Sequence, residues 1–525
     1  MAGESADGSV VTWGFAGCGG DSSAVAPLLR EGVVQVCANF RAFAAIKAGG
    51  SVVTWGNAKK GGDSSAVAPL LTEGVVQVCA NHRAFAAIKA DGSVVTWGEA
   101  CCGGDSSAVA PLLTEGVVQV CVNENAFAAI RADGSVVTWG FAGHGGDSSA
   151  VAPLLAEGVV QVCGNDVAFT AIKADGSVVT WGEARCGGDS SSVAPLLREG
   201  IVQVCGSCTA FAASKADGSV VTWGVAEAGG DSSAVAPLLS EGVVHVCANS
   251  RAFAAIKADG SVVTWGSAGA GCLIDSSAVA PLLTEGVVQV CATAGAFAAI
   301  KTDGSVVTWG VAGAGGDSSA VAPLLTEGVV HVCANHRAFA AIKADGNVVT
   351  WGNADYGGDS SAVAPLLTEG VVQVSSNENA FAAIKADGSV VTWGDCGGDS
   401  SAVALLLTEG VVQAGAERDF TEFQRGGDEL MFKEKAWTAK FIRKQREEEA
   451  EERLKLQATD VAREKWELKA EETIMKFVNS PSSPANHRAS KAPARGSSPA
   501  SIRSNRSEQL VLAGAMTVEG SRRSV

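Results

Sequence analysis

Residues 74–115 read GVVQVCANHRAFAAIKADGSVVTWGEACCGGDSSAVAPLLTE, and this stretch recurs along most of the chain. Aligned on Trp-Gly, the copies place Trp13, Trp55, Trp97, Trp139, Trp181, Trp223, Trp265, Trp309, Trp351 and Trp393 at steps of 42 residues, with a single step of 44. The long step comes from two extra residues within Gly271-Cys272-Leu273-Ile274, and the last unit is two residues short before Asp399. A fixed period overrides the domain count that 525 residues would imply, because repeats build one continuous body.

The unit predicts three strands. Strand A runs from Gly74 to Ala80, strand B from Ala84 to Ala90 and strand C from Ser93 to Trp97. Asp91-Gly92 reads as a two-residue type I′ turn between B and C, with positive φ at both positions. That turn sets Ile88 opposite Val95 and Lys89 opposite Val94. Both faces of the hairpin then carry apolar residues, so each small sheet is covered on both sides by its neighbours. Propeller blades and stacked solenoids provide that cover. The alanines of strand B allow close sheet contact. The stretch from Asp105 to Glu115 returns the chain to the next strand A, as a short outer strand or a helical turn, and Pro111 excludes a central strand there.

The modules resemble repeats of the regulator of chromosome condensation family and the related β-lactamase-inhibitor-protein-II propellers. The shared pattern is a Val-rich strand, a small-residue strand ending in Asp-Gly, then Val-x-x-Trp-Gly and a Gly-containing loop. It covers roughly residues 7–420. The resemblance implies an all-β propeller, often closed by strands from the two termini. An orphan strand C at Ser9–Trp13, an orphan strand A at Val411–Ala414 and a degraded strand B around Phe420 would together complete a tenth module. Ten modules exceed the usual four to eight blades, roughly, so a closed ring and an open superhelical array both stand. The chain departs from the family where Ala84-Phe85 replaces a His near the start of strand B, and where Gly103 to Ser107 replaces Gly-Gln-Leu-Gly. No exchange-factor residue therefore carries over. The family's ubiquitin ligases need a catalytic module larger than the residues after 420, which leaves at most an adaptor role.

Copies differ from one another in two segments. One lies between strands A and B, the other after Trp-Gly. If A rises, B descends and C rises, both segments lie at one end of the blade and the constant turns at the other. The candidate binding residues on that variable face are Phe40, Arg41, Lys59, Lys60, His82, Arg83, Glu124, Phe141, His144, Arg185, Arg251, His336, Arg337 and Tyr356. Neutral drift at exposed loop tips is the bland alternative.

Cys37, Cys79, Cys121, Cys163, Cys205, Cys247, Cys291 and Cys333 share the end of strand A, with Ser375 in the ninth copy, and read as small apolar core residues. His82, Cys101 and Cys102 fall at the variable end of one blade and are the candidates for a soft metal. No cofactor motif, phosphate loop or nucleophile–base pattern is present, so a non-enzymatic scaffold is expected. A nucleotide exchange regulator of a small GTPase and a ligase adaptor are the alternatives that the resemblance implies.

Net charge is −17. Residues 1–427 hold 20 basic and 41 acidic residues, −21, and most of that excess sits in turn aspartates and strand-entry glutamates. An acidic array repels nucleic acid. No apolar run reaches membrane length and the N-terminus has no signal-peptide pattern. One repeated Cys position argues against a disulfide framework, so a reducing cytoplasmic or nuclear setting is expected. Residues 428–478, rich in Glu, Lys and Arg without Gly or Pro, predict a charged helix. Leu454, Val461, Leu468 and Met475 recur every seven residues, so a weak coiled coil giving self-association and a solvated single helix are both open. Residues 479–525, rich in Ser, Pro and Arg, predict a disordered basic tail with proline-directed phosphorylation candidates at Ser480, Ser483 and Ser498. The protein partner is not named by the sequence.

Overall fold

The computed structural model describes residues 1–266 and 275–415. The expected helix, tail and the strand around Phe420 lie outside these residues. Ten three-stranded antiparallel sheets follow one another, forming a tandem-repeat β-propeller. In the second blade, strand A is Val75–Ala80, strand B is Ala84–Lys89 and strand C is Val94–Gly98. Strand B is central in each blade, and neighbouring blades meet through strand A on strand A and strand B on the next strand A. The return segment is a three-ten helix, Ser107–Leu112, with Pro111 inside it.

The hairpin register differs by one residue from the sequence expectation. Ile88 pairs with Val94 and Ala87 with Val95. The turn has three residues: Gly92 N–H bonds to Lys89 O at 2.8 Å, and Lys89 N–H to Ser93 O at 2.9 Å. Only Gly92 has positive φ, +76°. This is a type I turn followed by a left-handed glycine, the bulged hairpin connection rather than type I′. Asp91 holds it by accepting bonds from Ser93 N–H at 2.9 Å and Ser93 Oγ at 2.6 Å. The change matters because one step of register exchanges the two faces of a strand. In the observed register Phe85 lies opposite Trp97 and the rings stack at 5.3 Å. Such a pair is worth about 0.5–1.5 kcal/mol beyond its burial.

The core sits between blades. Ala42, Ala44 and Ile46 of one strand B pack against Val75, Val78, Phe85, Ala87 and Trp97 of the next blade, with Leu71 of the return segment. The central strand is buried on both faces, as the apolar pattern required, while the second valine of strand A, such as Val76, stays exposed. Trp97 Nε1 donates to Gly61 O of the preceding blade's loop at 3.0 Å, and the bond recurs around the array. The loop glycine is required: a Cβ on Gly61 would fall 2.5 Å from Phe85 Cδ2. Trp309 Nε1 is buried and has no partner among the described residues; the loop that precedes its blade is the one altered by the insertion.

The ring closes. The tenth blade takes strand A, Val411–Gly415, from one end of the chain and strand C, Val10–Thr12, from the other. Its central strand is Ala2–Ser5, not the segment around Phe420. Ala, Gly, Glu and Ser favour strands poorly, but here they bridge two otherwise unpaired edges. Met1 takes the place of the strand B phenylalanine and packs with Trp13, whose Nε1 makes the equivalent bond across the seam to Gly397 O at 2.9 Å.

Of the eight strand A cysteines, Cys79, Cys163, Cys205 and Cys247 are buried and the others half-buried. No disulfide joins the described cysteines. The loop aspartates cap the return helices: Asp105 Oδ1 accepts from Ser107 N–H at 2.9 Å. These bonds hold the Asp105 carboxyl below its usual range, so the acidity of the array is turn chemistry.

Candidate recognition face

The two variable segments meet in eight of the described blades. Asn81, in the A–B loop, donates from Nδ2 to Cys102 O in the loop after Trp-Gly, at 2.7 Å. Its Oδ1 also accepts from Arg83 N–H at 2.9 Å and Ala84 N–H at 2.8 Å. Asn39, Asn123, Asn165 and Asn335 repeat this bond, and Ser207 and Thr293 make it with hydroxyls. At the opposite end, the Asp-Gly turn of one blade meets the Glu-Gly entry of the next: Val117 N–H bonds to Gly92 O at 3.0 Å. The variable loops therefore share one face and the constant turns the other.

A row of side chains crosses this face from blade to blade. Phe40 and His82 meet edge to face at 4.2 Å, and His82 Nδ1 lies 3.6 Å from Glu124 Oε1. Backbone bonds continue the row: Glu124 N–H to Asp166 O at 3.3 Å, Asp166 N–H to Cys208 O at 3.3 Å and Cys208 N–H to Ser250 O at 3.1 Å. Burial, with Glu124 beside it, pushes the Asp166 carboxyl up to about 7. On the far side, His336 N–H bonds to Glu378 O at 3.3 Å.

Lys60 and Arg83 converge on Glu99, Arg83 Nη1 at 3.5 Å. The bond from Lys60 holds the Glu99 carboxyl below its usual range. Arg41 and Lys59 stand exposed nearby in sequence, and Arg185 and Arg251 are exposed on their own blades. Phe141, 48% exposed, packs edge to face on His144 at 4.8 Å, and His144 Nδ1 meets Asn125 Nδ2 at 3.1 Å. Burial lowers the His144 and His336 imidazoles. The Arg337 guanidinium lies over the Tyr356 ring, 5.5 Å from its centre. His82 is thus engaged with Phe40 and Glu124, while Cys101 and Cys102 lie together, and the described residues hold no group of three or more metal-ligating side chains.

Glu99, Asn125 and Asp166 complete these contacts and are not among the residues singled out above. A signal for them exists in the sequence: His82-Arg83 is followed one copy later by Glu124-Asn125, and His336-Arg337 by Glu378-Asn379. Reading down a column of copies finds partners that reading along the chain does not. At the closing seam, where the last loop is two residues short, Phe15, Asp395 and Cys396 help line a cleft of about 700 Å³.

No family model matches the sequence, and no curated protein does. Among solved structures, human WBSCR16 is 16% identical over 50% of this chain and 87% of its own, with a TM-score of 0.29. The computationally designed Ika8 protein is 14% identical over 61% and 96%, with a TM-score of 0.28. Prp20p from Saccharomyces cerevisiae is 13% identical over 60% and 81%, with a TM-score of 0.30. At these values the likeness adds nothing to the strand pairing, and it is the pairing that makes the chain a closed, ten-bladed β-propeller of tandem repeats.

Proposed function

We propose that the protein is a non-enzymatic interaction scaffold that recognises a protein partner through the face carrying both variable loops. One observation carries this reading: the two segments that differ between copies are bonded to each other at the same end of eight blades, while the other end repeats with little change. A face built from rigid blades with interchangeable loops suits recognition. Its charges are sectored. Arg41, Lys59, Lys60 and Arg83 form a basic sector, and Glu124 and Glu183 an acidic one on the following blades. Such a pattern favours a partner of matching charge order.

The test is affinity capture with the intact protein beside a version whose variable loops all carry one consensus loop. Loss of the captured partners is the expected result; recovery of the same partners by both overturns the proposal. The exchange-regulator reading rests on the family resemblance alone. A catalytic acceleration of nucleotide release from a small GTPase would replace the scaffold reading with it.

A further inference from the structure

We propose that Cys101 and Cys102 form a two-thiol site for a soft, thiol-seeking metal or metalloid ion on the variable face. Consecutive side chains diverge on an extended chain. Here they lie on the three-ten turn Ala100–Cys102, and the two Sγ atoms stand 3.6 Å apart. A tetrahedral ion with metal–sulfur bonds of ~2.3 Å spans two sulfurs about 3.8 Å apart. The bite is therefore preset without backbone movement.

The two thiols play different parts. Cys101 is exposed and admits the ion, whereas Cys102 is buried. The Cys102 sulfur donates to Asn125 Oδ1 at 3.4 Å, and its carbonyl is held by Asn81 at 2.7 Å. Other described copies carry at most one cysteine at this pair of positions, as at Arg185-Cys186 and Asp395-Cys396.

The ligand class follows from the donors. Two sulfurs select a soft ion over a hard one. His82 faces Glu124, and Glu99 is engaged by Lys60 and Arg83, so neither completes the coordination. The ion keeps open positions and is exchangeable, unlike a closed four-ligand structural zinc. With an arsenic(III) oxide, two As–S bonds form and two S–H bonds break. The oxide oxygen leaves with both protons as water, and arsenic stays trivalent. With Zn²⁺, two Zn–S bonds form and both thiol protons pass to solvent.

The probes are phenylarsine oxide, read by intact mass, and Zn²⁺ alone, read by calorimetry, both on the reduced full chain. One arsenical adduct per chain is expected, stable to a monothiol and removed by a dithiol. Cys101→Ser, at an exposed position, should leave the melting temperature unchanged and weaken arsenical binding about a hundredfold, the loss of the second anchor. The Cys18→Ser/Cys396→Ser chain, which lacks the two loop thiols that neighbour each other at the closing seam, should bind as the parent does. Zn²⁺ binding lost in Cys101→Ser extends the site to metal ions; arsenical binding without Zn²⁺ binding assigns it to metalloids. Unchanged arsenical affinity in Cys101→Ser overturns the proposal.

Discussion

The two ends of each blade are built on different contacts. At the constant end, backbone meets backbone: Gly92 O accepts from Val117 N–H, and a Cβ on Gly92 would fall 2.5 Å from Gly116 N. No other side chain fits there, so the turn repeats. At the variable end, one conserved side chain reaches one backbone carbonyl. Any residue supplies a carbonyl, which is why Lys60, Cys102, His144, Cys186 and Tyr356 all serve as acceptors for the equivalent bond. The scaffold holds the loop by its main chain, so the identity of its side chain can change without loss of that bond. Constancy and variation in this molecule are thus two outcomes of where its hydrogen bonds begin and end.

Four substitutions test that contrast. Gly92→Val should be the most damaging, because it combines a positive φ with a backbone clash; a loss of at least about 3 kcal/mol is expected in denaturant unfolding. A parental midpoint would show that the constant end tolerates side chains. Asn81→Ala comes next, removing the shared anchor of both variable loops, with a loss of about 2 kcal/mol expected from unpaired buried groups. If the variable loops keep their hydrogen-exchange protection in that variant, Asn81 is not what joins them.

Asp166→Asn should act in the opposite direction. The folded carboxyl titrates at about 7, above its unfolded value. It holds its proton between these limits, so its contribution to stability falls as pH rises from about 4 through 7. Asparagine should stabilise the fold at pH 8 by on the order of 1–2 kcal/mol after solvent screening, with no gain below pH 4, roughly. Equal effects at both pH values would place the Asp166 titration elsewhere. Arg41→Ala should change stability by less than about 0.5 kcal/mol, and its effect should appear in partner capture instead. A large fall in melting temperature would move Arg41 from the recognition surface to the framework.

Much of this architecture is local and so could be read directly. The step between tryptophans, the Val-rich and Ala-rich strands and the need for cover on both sheet faces all follow from patterns inside one unit. The same holds for the shared end of the two variable loops, because alternating strand direction fixes it. Other features depend on contacts the sequence does not display. The hairpin register turned on whether Asp91 or only Gly92 takes positive φ, and the Phe–Trp stack across the sheet accompanies the three-residue turn. Ala2–Ser5 has no strand signature; it is a strand because both Val10–Thr12 and Val411–Gly415 need a partner. The row from His82 to Ser250 joins residues one repeat apart, and the Cys101–Cys102 bite depends on a three-ten turn bringing neighbours together. The sequence by itself determined the blade, since a repeated unit carries its own hydrophobic pattern. Only the tertiary structure decided the closure and the side-chain neighbours on the face, because those depend on which copies end up adjacent.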